Sequence, residues 1–232
     1  MKKTFKMLAL VAMGAALAMT ACGKDDDDKN GSGTESAEWV DLGLPSGLLW
    51  AKWNLGATSP EESGDHYAWG ETTTKSIYKW STYKYCTVDA EGDVETLTKY
   101  NTKESWGTVD NLTTLQASDD VATAKLGNGA RIPTKAEWEE LINNTTAEWT
   151  TQNGKYGRKF TAANGNSLFL PAAGLRWGGE LYDAGESGLY WSSSLRAVTP
   201  GNAWDFRFYS GGQVMLNNLR YYGQSVRAVR QN

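Results

Sequence analysis

The sequence predicts an α+β fold over residues 39–232, with two short helices and a mostly antiparallel sheet joined by long structured loops. Three observations carry that expectation. All eleven tryptophans and most of the twenty-five glycines fall in this stretch, which pairs large apolar anchors with tight turns. Thr134 with Glu137 three residues later forms a capping box ahead of Trp138, Leu141 and Ile142, the signature of an amphipathic helix. Strand-like runs separated by Gly- and Asn-bearing turns crowd the C-terminal segment.

Taken in order, Val40 to Leu44 and Leu48 to Ala51 flank a Pro45-Ser46-Gly47 break, which reads as a hairpin. The Lys-, Thr- and Tyr-rich region that follows Glu71, to about residue 110, has no period and is read as loop. Ser118 is expected to cap a first helix through Val121, Ala122, Ala124 and Leu126, with Gly127 as its stop. The second helix follows Thr134; its apolar face must sit on a sheet, because one such helix cannot bury itself. Residues 159–161 and 167–174 are strand-like. Residues 188–194, 203–208, 213–216 and 225–230 are expected to form an antiparallel meander.

The N-terminus has a different character. Lys2, Lys3 and Lys6 precede an uncharged stretch from Met7 to Ala21, the pattern of a secretory signal and too short to span a bilayer. Its end, Met19-Thr20-Ala21-Cys22, resembles a lipobox, which implies a signal peptide at residues 1–21 and lipidation of Cys22. Residues 22–38, with four aspartates at 25–28 and a Gly/Ser stretch, cannot bury enough apolar surface to fold and read as a flexible acidic tether. The acidic run resembles a surface-export signal; followed by Lys29, it also matches an engineered protease tag. The expected location is the outer membrane, lipid-anchored and exposed at the cell surface.

Three of the 23 basic residues lie in the signal, which leaves 20 against 27 acidic and a mature charge of about −7. Nucleic acid is not an expected partner, since phosphate affinity requires clustered Lys and Arg. Cys86 is the only cysteine besides Cys22, so no disulfide is expected, and in its Tyr-rich segment it reads as a buried small hydrophobe. His66 is the only histidine. It is expected to pack beside Tyr67 and Trp69, with a base-and-partner role alongside Asp65 as the weaker reading. Asp89 to Asp93 places oxygens at alternate positions but lacks a distal Glu, so a solvated turn is preferred over a calcium loop. No metal or cofactor is expected.

The segment Arg131-Ile132-Pro133-Thr134-Lys135-Ala136-Glu137-Trp138-Glu139 resembles a signature of the formylglycine-generating-enzyme (sulfatase-modifying-factor) superfamily. Ser225-Val226-Arg227-Ala228-Val229-Arg230 is similar to its closing strand. Val40 to Gly47, Tyr67 to Glu71, Leu170 to Gly174 and Tyr190 to Ser194 look like the lipoproteins that carry the Fibrobacter succinogenes major paralogous domain. The resemblance covers residues 39–232 and implies a C-type-lectin-like fold, used mostly for ligand binding. The superfamily's oxidative chemistries need a C-terminal cysteine pair or a histidine cluster, and this chain has neither, so it is expected not to be an enzyme. Glu137 and arginines 131, 227 and 230 then take structural roles, the arginines pairing with buried carboxylates or carbonyls.

Binding is assigned to the C-terminal sheet and loops. Arg196, Trp204, Arg207, Tyr209, Gln213, Asn217, Tyr221 and Tyr222 are the expected ligand-binding residues, because rigidly displayed aromatic, Arg and Asn side chains are the composition of a recognition surface. Phe206 and Phe208, spaced by two, are assigned to the core, and Trp204 shares their phase. The expected function is therefore a surface-displayed protein binding a glycan or protein. The alternatives are a structural or accessory subunit of a surface appendage or adhesin, and an enzyme of unrecognised type. Cys22→Ser is expected to move the protein out of the membrane fraction; its retention there after cell fractionation would refute anchoring through that residue.

Overall fold

The computed structural model describes residues 37–232, so the expected signal peptide, Cys22 and most of the tether lie outside the described residues. Strands β1 (Trp39–Asp41) and β2 (Leu49–Ala51) form the expected N-terminal hairpin, and β3 (His66–Tyr67) follows. Strands β4 (Cys86–Val88) and β5 (Val94–Leu97) lie where only loop is expected. Their turn is built by Asp89, whose carboxylate accepts the amides of Glu91 and Asp93. The two helices are α1 (Val121–Leu126) and α2 (Lys135–Asn144). Then come β6 (Thr145–Gln152), β7 (Lys155–Ala162) and β8 (Ser167–Pro171), a three-stranded antiparallel sheet, and a short hairpin of β9 (Leu175–Trp177) and β10 (Glu180–Tyr182). The chain closes with β11 (Ser187–Leu195), β12 (Asn202–Tyr209), β13 (Gly212–Leu219), β14 (Gln224–Ser225) and β15 (Val229–Arg230). This is a mixed α+β architecture, predominantly β.

Both helices start where local chemistry satisfies their free amides. Thr134 accepts from the Glu137 amide while the Glu137 carboxylate accepts from the Thr134 amide, as the capping box requires. Arg131 clamps the same carboxylate through its two terminal guanidinium nitrogens, at 2.7 and 2.6 Å. Helix α1 is capped by Asp120 rather than Ser118. The Asp120 carboxylate accepts from Ala122 and Thr123 and, through its other oxygen, from Ile132, while Ser118 sits in a preceding 3-10 turn. A carboxylate already at the right position serves three amides, which the serine two residues earlier does not.

The central sheet has the order β13-β12-β11-β14-β3. The hairpins β11-β12-β13 are antiparallel, but the fourth strand of the expected meander instead crosses over and runs parallel to β11, with Ser225 beside Tyr190. One face presents Tyr190, Phe206 and Phe208 to Trp138 of α2 and to Phe160, Leu168 and Leu170 of the three-stranded sheet. Gly188 is required there, since a Cβ would sit 2.1 Å from the Phe208 ring. The other side of the sheet presents Trp191 and Ala203 to an aromatic core containing Trp69, Tyr78, Tyr83, Tyr85 and Tyr100.

Trp138 is fully buried, its ring 4.9 Å from Trp50 and 5.0 Å from Phe206, and its indole N–H donates to the Trp191 carbonyl. Trp138→Ala should therefore cost about 3–5 kcal/mol, whereas Thr134→Ala should cost about 1 kcal/mol. Denaturant titration checks the ordering, and equal losses would contradict it.

Candidate binding cleft

The hairpin that builds the cleft is specified by Asn153-Gly154, both with positive φ (45° and 75°), the geometry of a two-residue turn between antiparallel strands. It brings Trp149 of β6 and Tyr156 of β7 onto one side, stacked with their rings 5.8 Å apart and only 11° from parallel. Trp149 also meets Phe208 edge-on, which fixes the pair against the central sheet. Tyr156 remains 53% exposed.

Where β11 begins and β12 ends, Ser187 faces Tyr209 across the strands, and Arg207 lies two pairs further in, opposite Leu189. Together with Gly185, Glu186 and Ser210 these residues and the Trp149–Tyr156 pair line an open cavity of about 640 Å³. That is within the size usual for ligand pockets, about 300–1,000 Å³. Arg158 secures the floor by donating to the carbonyls of Tyr209 (2.9 Å) and Gly212 (2.8 Å), which locks the β12-β13 turn to β7. Arg207 makes one long bond to Asp183 at 3.4 Å, and its buried Nε has no hydrogen-bond partner. Tyr156 and Gly185 also border a second depression of about 240 Å³, lined by Glu61, Ser63, Lys155 and Pro171. The two are thus adjacent along one surface.

Of the residues expected to bind, the structure gathers Arg207 and Tyr209 at this cleft. Strand alternation turns Trp204, Gln213 and Asn217 to the opposite face, since cross-strand partners share a side. There the Lys135 ammonium stands 4.8 Å over the Trp204 ring, and Asn217 accepts from Asn202. Tyr221, expected at the surface, is only 8% exposed and packs on Trp80, because the chain turns inward after β13. Tyr222 is half-buried beside Trp177, and Arg196 is held by Thr199. The eight residues therefore do not form one surface. Trp149, Tyr156 and Glu186 escaped the sequence reading, although Asn153-Gly154 between alternating residues signals their hairpin.

His66 is buried, and its Nε2 lies 3.1 Å from the Ala173 carbonyl. Burial pushes its pKa down, so it is neutral near pH 7. It borders a polar cavity of about 440 Å³ with Asp65, Lys75, Tyr78 and Arg176. Asp65 supplies that lining's one carboxylate and accepts from the Tyr67 hydroxyl.

Comparison of the chain with family models, with curated proteins and with solved structures found no match in any of the three.

Two strand pairs from Arg207, toward the middle of the sheet, Asp205 is fully buried. One carboxyl oxygen accepts from Asn218 (2.8 Å) and Gln224 (3.3 Å), and the other has no partner. Burial pushes its pKa up from 3.8 to about 7, against the opposing pull of those amides and of Arg207. A raised folded-state value means that the neutral acid stabilises the fold; this contribution is complete below about pH 4 and is lost as pH rises through about 7. Asp205→Asn copies the neutral form and should flatten that part of the stability curve in urea titrations. An unchanged slope relative to the native chain would show that the fold accommodates the carboxylate.

Proposed function

We propose that this chain is a lipid-anchored, surface-displayed binding protein with a C-type-lectin-like fold, and that its ligand is a carbohydrate held in the Trp149–Tyr156–Tyr209 cleft. The observation that carries this reading is the convergence of exposed aromatic rings with Arg207, Glu186 and two serines in one open cavity. A sugar ring has an apolar C–H face, which covers an aromatic ring, and a rim of hydroxyls, which need donors and acceptors. A guanidinium and a carboxylate supply both. The adjoining depression beyond Tyr156 lengthens the surface in the manner an oligosaccharide would use. The sequence motifs shared with lectin-like lipoproteins, and the lipobox-like Met19 to Cys22, support the fold and the anchor in this reading.

A structural or assembly subunit is the second reading, favoured by one observation: the long strand β13 lies at the outside of the central sheet.

The cleft is tested by screening the purified chain on arrayed glycans, then repeating with Tyr156→Ala and Arg207→Ala. Each variant should lose roughly thirtyfold in affinity, about 2 kcal/mol, while melting like the native chain. No retained glycan, or undiminished binding by both folded variants, would overturn the assignment.

A further inference from the structure

Strand β13 ends the five-stranded sheet and is eight residues long, with neither a charge nor a proline. Its pairing with β12 is continuous from Gly212 to Leu219, without a bulge. Folded proteins normally blunt such an edge with lysine, proline, a bulge or short length, because its unpaired N–H and C=O groups invite another strand. Among the described residues, β13 makes main-chain hydrogen bonds beyond β12 only at its ends. The Gly212 carbonyl accepts from Arg158, and the Leu219 carbonyl accepts from the Tyr222 amide. Val214 and Leu216 are 42% and 38% exposed on the outer face.

We infer that β13 is a self-pairing edge whose occupant is β13 of a second copy of this chain. The sequence Gln213-Val214-Met215-Leu216-Asn217 reads the same in both directions by side-chain class: amide, apolar, Met, apolar, amide. Antiparallel pairing about a two-fold axis at Met215 sets each Val214 opposite Leu216 of the other copy, and each Gln213 opposite Asn217. Apolar thus meets apolar on one face and amide meets amide on the other. The β12-β13 turn closes with Tyr209 opposite Gly212, so residues 212, 214, 216 and 218 bond inward to β12. Residues 213, 215 and 217 face outward, and this register joins them in about six main-chain hydrogen bonds. The strand carries no charge, so two acidic chains meet here without placing like charges opposite each other. The two-fold axis stands perpendicular to the doubled sheet, so Arg207 and Tyr209 of both copies present on the same side.

Sedimentation velocity of the purified full chain over a concentration series tests the pairing. The native chain is expected to show a monomer–dimer equilibrium. V214K/L216K puts lysines opposite lysines and should raise the dimer dissociation constant roughly a hundredfold. V214K/L216E puts each lysine opposite a glutamate of the other copy and should recover most of the loss. Both positions are exposed, and matching thermal melts verify that the variants fold. A native chain that stays monomeric, or a V214K/L216K variant that still dimerises, overturns the proposal. A V214K/L216E variant as weak as V214K/L216K overturns this register.

Discussion

Two guanidinium groups are buried completely, without an ion pair among the described residues, and the chain is arranged around satisfying them. Arg227 donates to Asn54 and to the carbonyls of Ala51, Lys52 and Phe169, at 2.7 to 3.1 Å. Burial lowers its pKa to about 10, so it remains charged at neutral pH and the carbonyls must stay in place around it. Those bonds tie the end of the N-terminal hairpin, the three-stranded sheet and the C-terminal segment together at one point. Removing a side chain that holds four such partners would leave buried carbonyls without donors, at about 1–3 kcal/mol for each.

Arg220 does the same for the second core. It donates to the Tyr83 hydroxyl and to the carbonyls of Lys99, Tyr100 and Pro200, and its guanidinium lies about 5 Å from the rings of Trp69 and Tyr83. A second charged knot lies nearby, where Asp119 accepts from Tyr85, Tyr100 and Lys99. Burial raises the Asp119 pKa, but the Lys99 ammonium and the two hydroxyls outweigh it and hold the group near 2. The segment from 75 to 110 thus owes its shape to distant partners, with its own hydrogen-bonded turns secondary.

The cleft illustrates how a rigid scaffold can present adaptable chemistry. Its floor is immobilised by Arg158 and by the Phe208 contact, while Tyr156, Tyr209 and Glu186 remain at the surface. Anchored aromatic rings lose little freedom when a ligand arrives, which favours binding per contact made. Strand β12 links this cleft, through Asp205 and Phe206, to the edge strand β13. One hairpin therefore shapes both the proposed binding surface and the proposed contact between copies.

The sequence by itself determined the local features whose partners lie within a few residues: the capping box at Thr134, the break at Pro45 to Gly47, the period-two phase of Phe206 and Phe208, and the α+β class. It also contained the Asn153-Gly154 turn, which was legible though unread. Only the tertiary structure decided the rest. Asp120 displaced Ser118 as a cap because it also serves the Ile132 amide, twelve residues away. The strand at Ser225 lies parallel to β11, beside Tyr190, and antiparallel to β3, with His66 opposite Ser225, so both its partners are distant in sequence. The five expected binding residues on β12 and β13 separated because each strand position points to one face, and which face is solvated depends on what packs there. Helix α2 covers the side of Trp204, whereas the side of Arg207 and Tyr209 opens onto the cleft. Alternation is written in the order of the residues; the identity of the covered face is set by long-range packing, which no local pattern encodes.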